Sequence, residues 1–133
     1  MNPHLFVYGT LLSGAQHPMG ARLARESRLL GEATIAGCRL YSLGRYPGLV
    51  EAADAGGLVH GEVYALNSPA VSIKWLDAYE RIEPDNVNND YERCERMVSL
   101  ASGAELKVWV YLYRASVRGL PEVKDGRWTA SRG

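Results

Sequence analysis

Residues 106–114 read Leu-Lys-Val-Trp-Val-Tyr-Leu-Tyr-Arg, and this run constrains the fold more than any other part of the chain. Strand-favouring residues alternate in it. Leu106, Val108, Val110 and Leu112 point one way, and Trp109, Tyr111 and Tyr113 point the other. Both faces are therefore apolar, as expected for a strand covered on both sides or lining a barrel. Runs of similar character recur. Residues 5–8 are short and continuously apolar, which suits a buried strand. Residues 33–43 and 57–66 read as further strands, and another is expected to start near Tyr91 and to include 96–100. A last short strand is expected to include Trp128.

Helical patterns are fewer. Residues 19–30 carry Met19, Leu23 and the Leu29–Leu30 pair at helical spacing. Residues 69–82 form the better candidate. Ser68 is placed to cap this helix and Pro69 suits its first position. Val71, Trp75, Tyr79 and Ile82 fall on one stripe, and Pro84 is expected to end the helix. The segment 83–90 is polar and turn-rich, so it reads as an exposed loop. The expected fold is α+β: a small, mostly antiparallel β-barrel with flanking helices, formed by residues 1–133 as one domain.

Composition narrows the functional classes. Fifteen Lys and Arg balance fifteen Asp and Glu among 133 residues, so no basic patch points to nucleic acid. No apolar run is long enough to span a membrane, and residues 1–12 lack a signal-peptide pattern. A soluble cytoplasmic protein, monomeric or homodimeric, is the expectation. Cys38 and Cys94 stand alone and read as buried thiols in a reducing compartment. Three dispersed histidines give no common zinc spacing, and no nucleotide-cradling glycine loop occurs. Neither a metal nor a cofactor is expected.

Three features could carry chemistry. A buried strand runs directly into Tyr8-Gly9-Thr10-Leu11, where glycine allows a sharp turn and successive N–H groups can gather round an anion. An ordinary strand-to-loop turn is the alternative reading. Glu80 is the second. At about 100° per residue, Lys74, Asp77 and Arg81 share a polar face, while Glu80 falls between Ile73 and Leu76. Apolar surroundings raise a carboxyl pKa, as a proton-shuttling glutamate needs. A boundary glutamate whose stem packs while its head reaches water fits the same pattern. The third is an aromatic set, Tyr46, Tyr64, Tyr91, Tyr111 and Tyr113, which suits either a pocket lining or a core. Glu62, Glu83, Glu92 and Glu95 are alternative carboxylates.

Taken in order, these pieces resemble the γ-glutamylcyclotransferase-like superfamily. The resemblance runs through FVYGTL, GCRLYSLGRYPGLV, VHGEVYAL, LDAYERI, DYERCERMV, VWVYLYR and a final GRW. It covers about residues 5–128, and its compact branch is similar to γ-glutamylamine cyclotransferases and small bacterial homologues. It implies a small barrel with a pocket at its mouth. It implies that Tyr8, Gly9, Thr10 and Leu11 hold the glutamyl part of a small-molecule γ-glutamyl substrate, and that Glu80 is the general acid/base. Tyr91 and Arg93 occupy the YxR positions. Tyr91 would close over the substrate, and Arg93 is expected to pair structurally with a carboxylate. Two departures stand out, and both are expected to alter the pocket rim: Arg81 follows Glu80 where many members have Gly, and the 83–90 loop looks long.

The implied reaction is intramolecular. The substrate's α-amino group attacks its own γ-carbonyl, giving 5-oxoproline and a released amine or peptide. A non-catalytic ligand-binding or interaction protein on the same barrel is the alternative, and amide hydrolysis by water is a third.

Overall fold

A computed structural model describes residues 1–129 other than residue 87. Seven strands and two α-helices follow in the order β1 (His4–Val7), α1 (Pro18–Glu26), β2 (Ser27–Ala36), β3 (Cys38–Ser42), β4 (Pro47–Glu51), β5 (Leu58–Leu66), α2 (Pro69–Tyr79), β6 (Tyr91–Leu100) and β7 (Glu105–Tyr113). Five strands close a barrel in the order β1-β5-β2-β6-β7, and β3 and β4 form a separate hairpin. Neighbours in the barrel are antiparallel except at its seam, where β1 meets β7 in parallel at Leu5 and Trp109.

The two-faced pattern of 106–114 has a direct structural meaning. Val108, Val110 and Leu112 join Phe6, Ile35, Val59, Val63 and Val98 in one apolar cluster. Tyr111 and Tyr113 turn the other way and pack with Leu5, Val7, Ile73 and Leu76, in the layer between barrel and helices. Burying each such side chain contributes about 1.5–3 kcal/mol. Alternate residues of β1 and the residue after it obey the same rule, so Phe6 and Tyr8 face one cluster and Leu5 and Val7 the other.

Several sequence expectations need correction. The helix expected over 19–30 stops at Glu26, and Leu29 and Leu30 belong to β2. Its start is fixed by His17, whose Nδ1 accepts the Met19 N–H at 3.1 Å. At its end the Ser27 hydroxyl donates to the Leu23 carbonyl. The 33–43 run is two strands, because Gly37, at φ 70°, breaks it. Trp128 is buried but lies in no strand.

The second helix, expected over 69–82, ends at Tyr79. Ser68 sits at its cap position, but the side chain makes no capping bond; its carbonyl accepts the N–H groups of Val71 and Ser72. The buried face is Ser72, Ile73 and Leu76, and Val71 is 63% exposed. A carboxylate from α1 explains the shift. Glu26 accepts from both Ser72 Oγ and Trp75 Nε1 at 2.8 Å, which docks this face of α2 onto α1. Among the described residues no helix is long and apolar enough to cross a membrane.

Candidate active site

The end of α2 sets the geometry of the site. Glu80 follows the last helical residue, yet its N–H still donates to the Leu76 carbonyl at 2.9 Å. The chain then reverses. The Arg81 N–H donates to the Ala78 carbonyl at 3.0 Å, and the Ile82 N–H to the Asp77 carbonyl at 2.9 Å. These two bonds form a Schellman motif, in which the reversing residue is left-handed. Here that residue is Arg81, at φ 58°. The helix stops at this reversal, five residues short of Pro84. A side chain in the left-handed region costs about 1–2 kcal/mol relative to glycine.

Glu80 lines a cavity of about 220 Å³. Tyr8, Gly9, Thr10, Leu11 and Tyr91 line the same cavity, so the structure brings together every residue the sequence singled out for the site. Of the aromatic set, Tyr46 and Tyr111 line it as well, whereas Tyr64 and Tyr113 belong to the buried layer between barrel and helices. Arg81 and Asp90, which belong to the two departures expected to alter the pocket rim, do line the cavity, and Tyr79 is a lining residue that the sequence reading did not name for the site.

The loop after β1 is held from three sides. Gly9 packs so closely on Pro47 that an added Cβ would lie 2.7 Å from both Cδ and Cγ of the ring. Thr10 Oγ1 and Tyr79 Oη share a hydrogen bond of 2.7 Å. Behind the loop, Glu62 accepts from the Ser13 N–H at 2.8 Å and from its hydroxyl at 2.6 Å. The Gly9 carbonyl accepts the Leu12 N–H at 3.0 Å, closing a tight turn. Among the described residues, the N–H groups of Gly9, Thr10 and Leu11 donate to no protein acceptor. Such adjacent donors suit a carboxylate or a developing oxyanion.

The tyrosine hydroxyls are already engaged. Tyr8 donates to the Tyr111 carbonyl, and Tyr91 donates to the Pro47 carbonyl at 2.8 Å. Tyr91 also meets Tyr113 edge-on, with ring centroids 5.2 Å apart. These contacts fix both rings as walls. Burial pushes the Tyr8, Tyr91 and Tyr111 phenols above their ordinary range, so they stay protonated near neutrality.

Glu80 differs. Burial first, and the negative charge of Asp77 second, raise its carboxyl to about 7. The helix adds a further push in the same direction, because the carbonyl end of a helix disfavours an anion. Such a group exchanges a proton readily near neutral pH.

Asp77 corrects the polar-face reading. It does not share a solvated face with Lys74 and Arg81. Arg93, from β6, donates to its two oxygens at 2.9 and 3.3 Å, and Tyr111, from β7, donates to Oδ1 at 2.7 Å. Arg93 also stacks on Trp109, 4.4 Å from the ring centroid. It does not line the cavity. Glu92 and Glu51 are taken up by Arg114 and Arg96 at the surface. In the 83–90 loop, Asn89 closes the described residues by bonding to the backbone of Glu83 and Asn86. Cys38 is buried and Cys94 half-buried, both as free thiols. Among the described residues, no group of three His, Cys, Asp or Glu side chains is arranged to hold a metal ion.

Comparison with known proteins bears on this arrangement. A family model described as gamma-glutamyl cyclotransferase, AIG2-like, matches residues 5–130. The gamma-glutamylcyclotransferase family protein YtfP of Escherichia coli K12 is 33% identical over 125 residues, covering 93% of this chain and 94% of that protein. The gamma-L-glutamyl-butirosin B gamma-glutamyl cyclotransferase of Niallia circulans is 34% identical over 113 residues, or 84% of this chain and 67% of that one. The solution structure of Escherichia coli YtfP superposes with a TM-score of 0.64 at 32% identity, over 94% of this chain and 95% of that one. An AIG2-like protein from Mus musculus, at 22% identity, shares the fold with a TM-score of 0.69, over 90% and 84% of the two chains.

Proposed function

Because this chain belongs to the gamma-glutamyl cyclotransferase, AIG2-like family, we propose that it converts a γ-glutamyl amine or peptide into 5-oxoproline and a free amine, with Glu80 as the general acid/base. The substrate's α-amino nitrogen attacks its own γ-carbonyl carbon. One C–N bond forms and closes a five-membered ring, and the C–N bond to the departing amine breaks. The Glu80 carboxylate takes a proton from the attacking nitrogen and returns it to the departing nitrogen, so no proton is gained or lost overall. Folding the substrate over itself supplies much of the acceleration, because both reacting atoms belong to one molecule.

The observation that carries this reading is the pairing within one cavity of Glu80, poised near neutrality, with the Gly9–Leu11 loop. The loop's N–H groups would hold the α-carboxylate or the oxyanion that develops at the γ-carbonyl. Tyr8 and Tyr91 would act as walls that keep the substrate bent, since their hydroxyls are bonded elsewhere.

The test is mass-spectrometric detection of 5-oxoproline from a panel of γ-glutamyl amines and peptides, with the wild type and Glu80→Gln. Loss of a general acid/base lowers turnover by about 10²–10⁴-fold. Product from the wild type and its loss in the variant support the reading. Equal turnover by both proteins refutes the role of Glu80. Free glutamate in place of 5-oxoproline indicates hydrolysis. Saturable binding without any product indicates a binding module.

A further inference from the structure

Arg81 occupies the one position in its turn where glycine is the default residue, and among the described residues no hydrogen bond of its side chain compensates for the arginine. Among the described residues its guanidinium has no ion-pair partner, whereas Arg93, Arg96 and Arg114 on the nearby strands are each paired with a carboxylate. Arg81 lines the cavity, next in sequence to Glu80, and is the only cation among the lining residues described. Strained residues that persist without structural return cluster at functional sites.

Depth within the cavity indicates which part of a substrate Arg81 would meet. Gly9 and Leu11 are buried, while Arg81 is exposed. A γ-glutamyl group seated on the Gly9–Leu11 loop would direct its departing amine outward, toward Arg81. We infer that Arg81 receives a carboxylate on the departing part of the substrate, which makes γ-glutamyl amino acids and peptides the favoured class over γ-glutamyl conjugates of neutral or cationic amines. This inference rests on the cyclotransferase reading above. Asp90 is the other exposed charge lining the cavity and favours the opposite class, an ammonium-bearing amine. Arg81 is the better guide of the two, because it sits beside the proton-transferring residue and because its backbone is strained to hold it there.

A matched pair of substrates tests the inference: γ-glutamyl-alanine and γ-glutamyl-alaninamide, which differ in the charge of one terminal group. The wild type should prefer the carboxylate in kcat/KM by about fivefold to tenfold, the scale of one charge-assisted contact at a partly exposed site. In Arg81→Gly and Arg81→Met this ratio should fall to about one. In Asp90→Asn it should hold or rise. Arg81→Gly should also raise the thermal midpoint, because it relieves the left-handed strain. Equal kcat/KM for the two substrates in the wild type overturns the inference while leaving the reaction class intact. So does a preference that survives in both Arg81 variants. If the wild type turns over neither these compounds nor any other γ-glutamyl compound, the cyclotransferase reading fails and the inference falls with it.

Discussion

Arg93 holds both carboxylate oxygens of Asp77, one helical turn before Glu80. A surface salt bridge of this kind would matter little, but both partners are partly buried and Tyr111 completes the network. Its location makes it a control on the proton affinity of Glu80. Among the described residues, Asp77 is the carboxylate that contributes to the rise in the Glu80 pKa, and Arg93 offsets its charge. Tyr8 just after β1, Tyr79 from α2, Tyr91 from β6 and Tyr111 from β7 also face Glu80 and are neutral near pH 7, while the charged Arg81 and Asp90 line the same cavity.

Changing either partner should therefore move the pH dependence. Asp77→Asn removes a negative charge near Glu80 and should lower its pKa by about half to one unit. Arg93→Leu leaves Asp77 uncompensated and should raise it, with a loss of about 1–3 kcal/mol in stability. ¹³C NMR titration of the glutamate side chains reads these shifts without substrate. Opposite displacements in the two variants are expected; identical titration in both would show that the network is only structural.

The raised pKa of Glu80 also predicts how stability varies with pH. The folded protein binds the Glu80 proton up to about pH 7, whereas an unfolded glutamate releases it near 4.5. Between these values the folded state holds more protons, so the Glu80 contribution is complete below about pH 4.5 and is lost as pH rises through 7. Glu80→Gln has no such dependence. Urea unfolding of the two proteins at pH 5 and pH 8 should show the variant gaining on the wild type by on the order of 2 kcal/mol.

Gly9→Ala places a methyl group against the Pro47 ring, so either the loop or the hairpin must shift. Stability should fall by about 1–3 kcal/mol, the usual cost of overpacking. Because the loop lines the cavity, kcat/KM should fall further than stability alone explains. Denaturant melts and steady-state kinetics on the same preparation check this.

Tyr79→Phe breaks the hydrogen bond that joins the loop to the helix carrying Glu80. The stability loss should be small, about 0.5–1.5 kcal/mol. The kinetic effect should be larger, since the bond aligns the two halves of the cavity. Thr10→Val should reproduce it, and the double variant should show little additional loss in a double-mutant cycle.

Legibility in the sequence followed the range of the interactions involved. The two faces of β7 were legible because side-chain alternation is local. Glu80 was legible as a carboxylate off the polar face because helix phase depends on a few neighbours. The end of α2 was not, since a left-handed arginine carries none of the signal that a glycine gives. The role of Asp77 was hidden for another reason. Its partners, Arg93 and Tyr111, come from two later strands, and spacing within one helix cannot reveal them. Trp128 was expected in a strand, but it is buried by packing without joining a ladder.

The seam of the barrel has a consequence for how the molecule comes into being. β1 delivers the substrate loop, yet its partners are residues 62–65 and Trp109. On a translating ribosome the loop emerges well before β5 and β7 and then waits, unframed, while they are synthesised. Contacts this distant in sequence form late and slowly. The pocket is therefore among the last features to be assembled, and a nascent chain that lacks β7 carries the loop and Glu80 without the site itself.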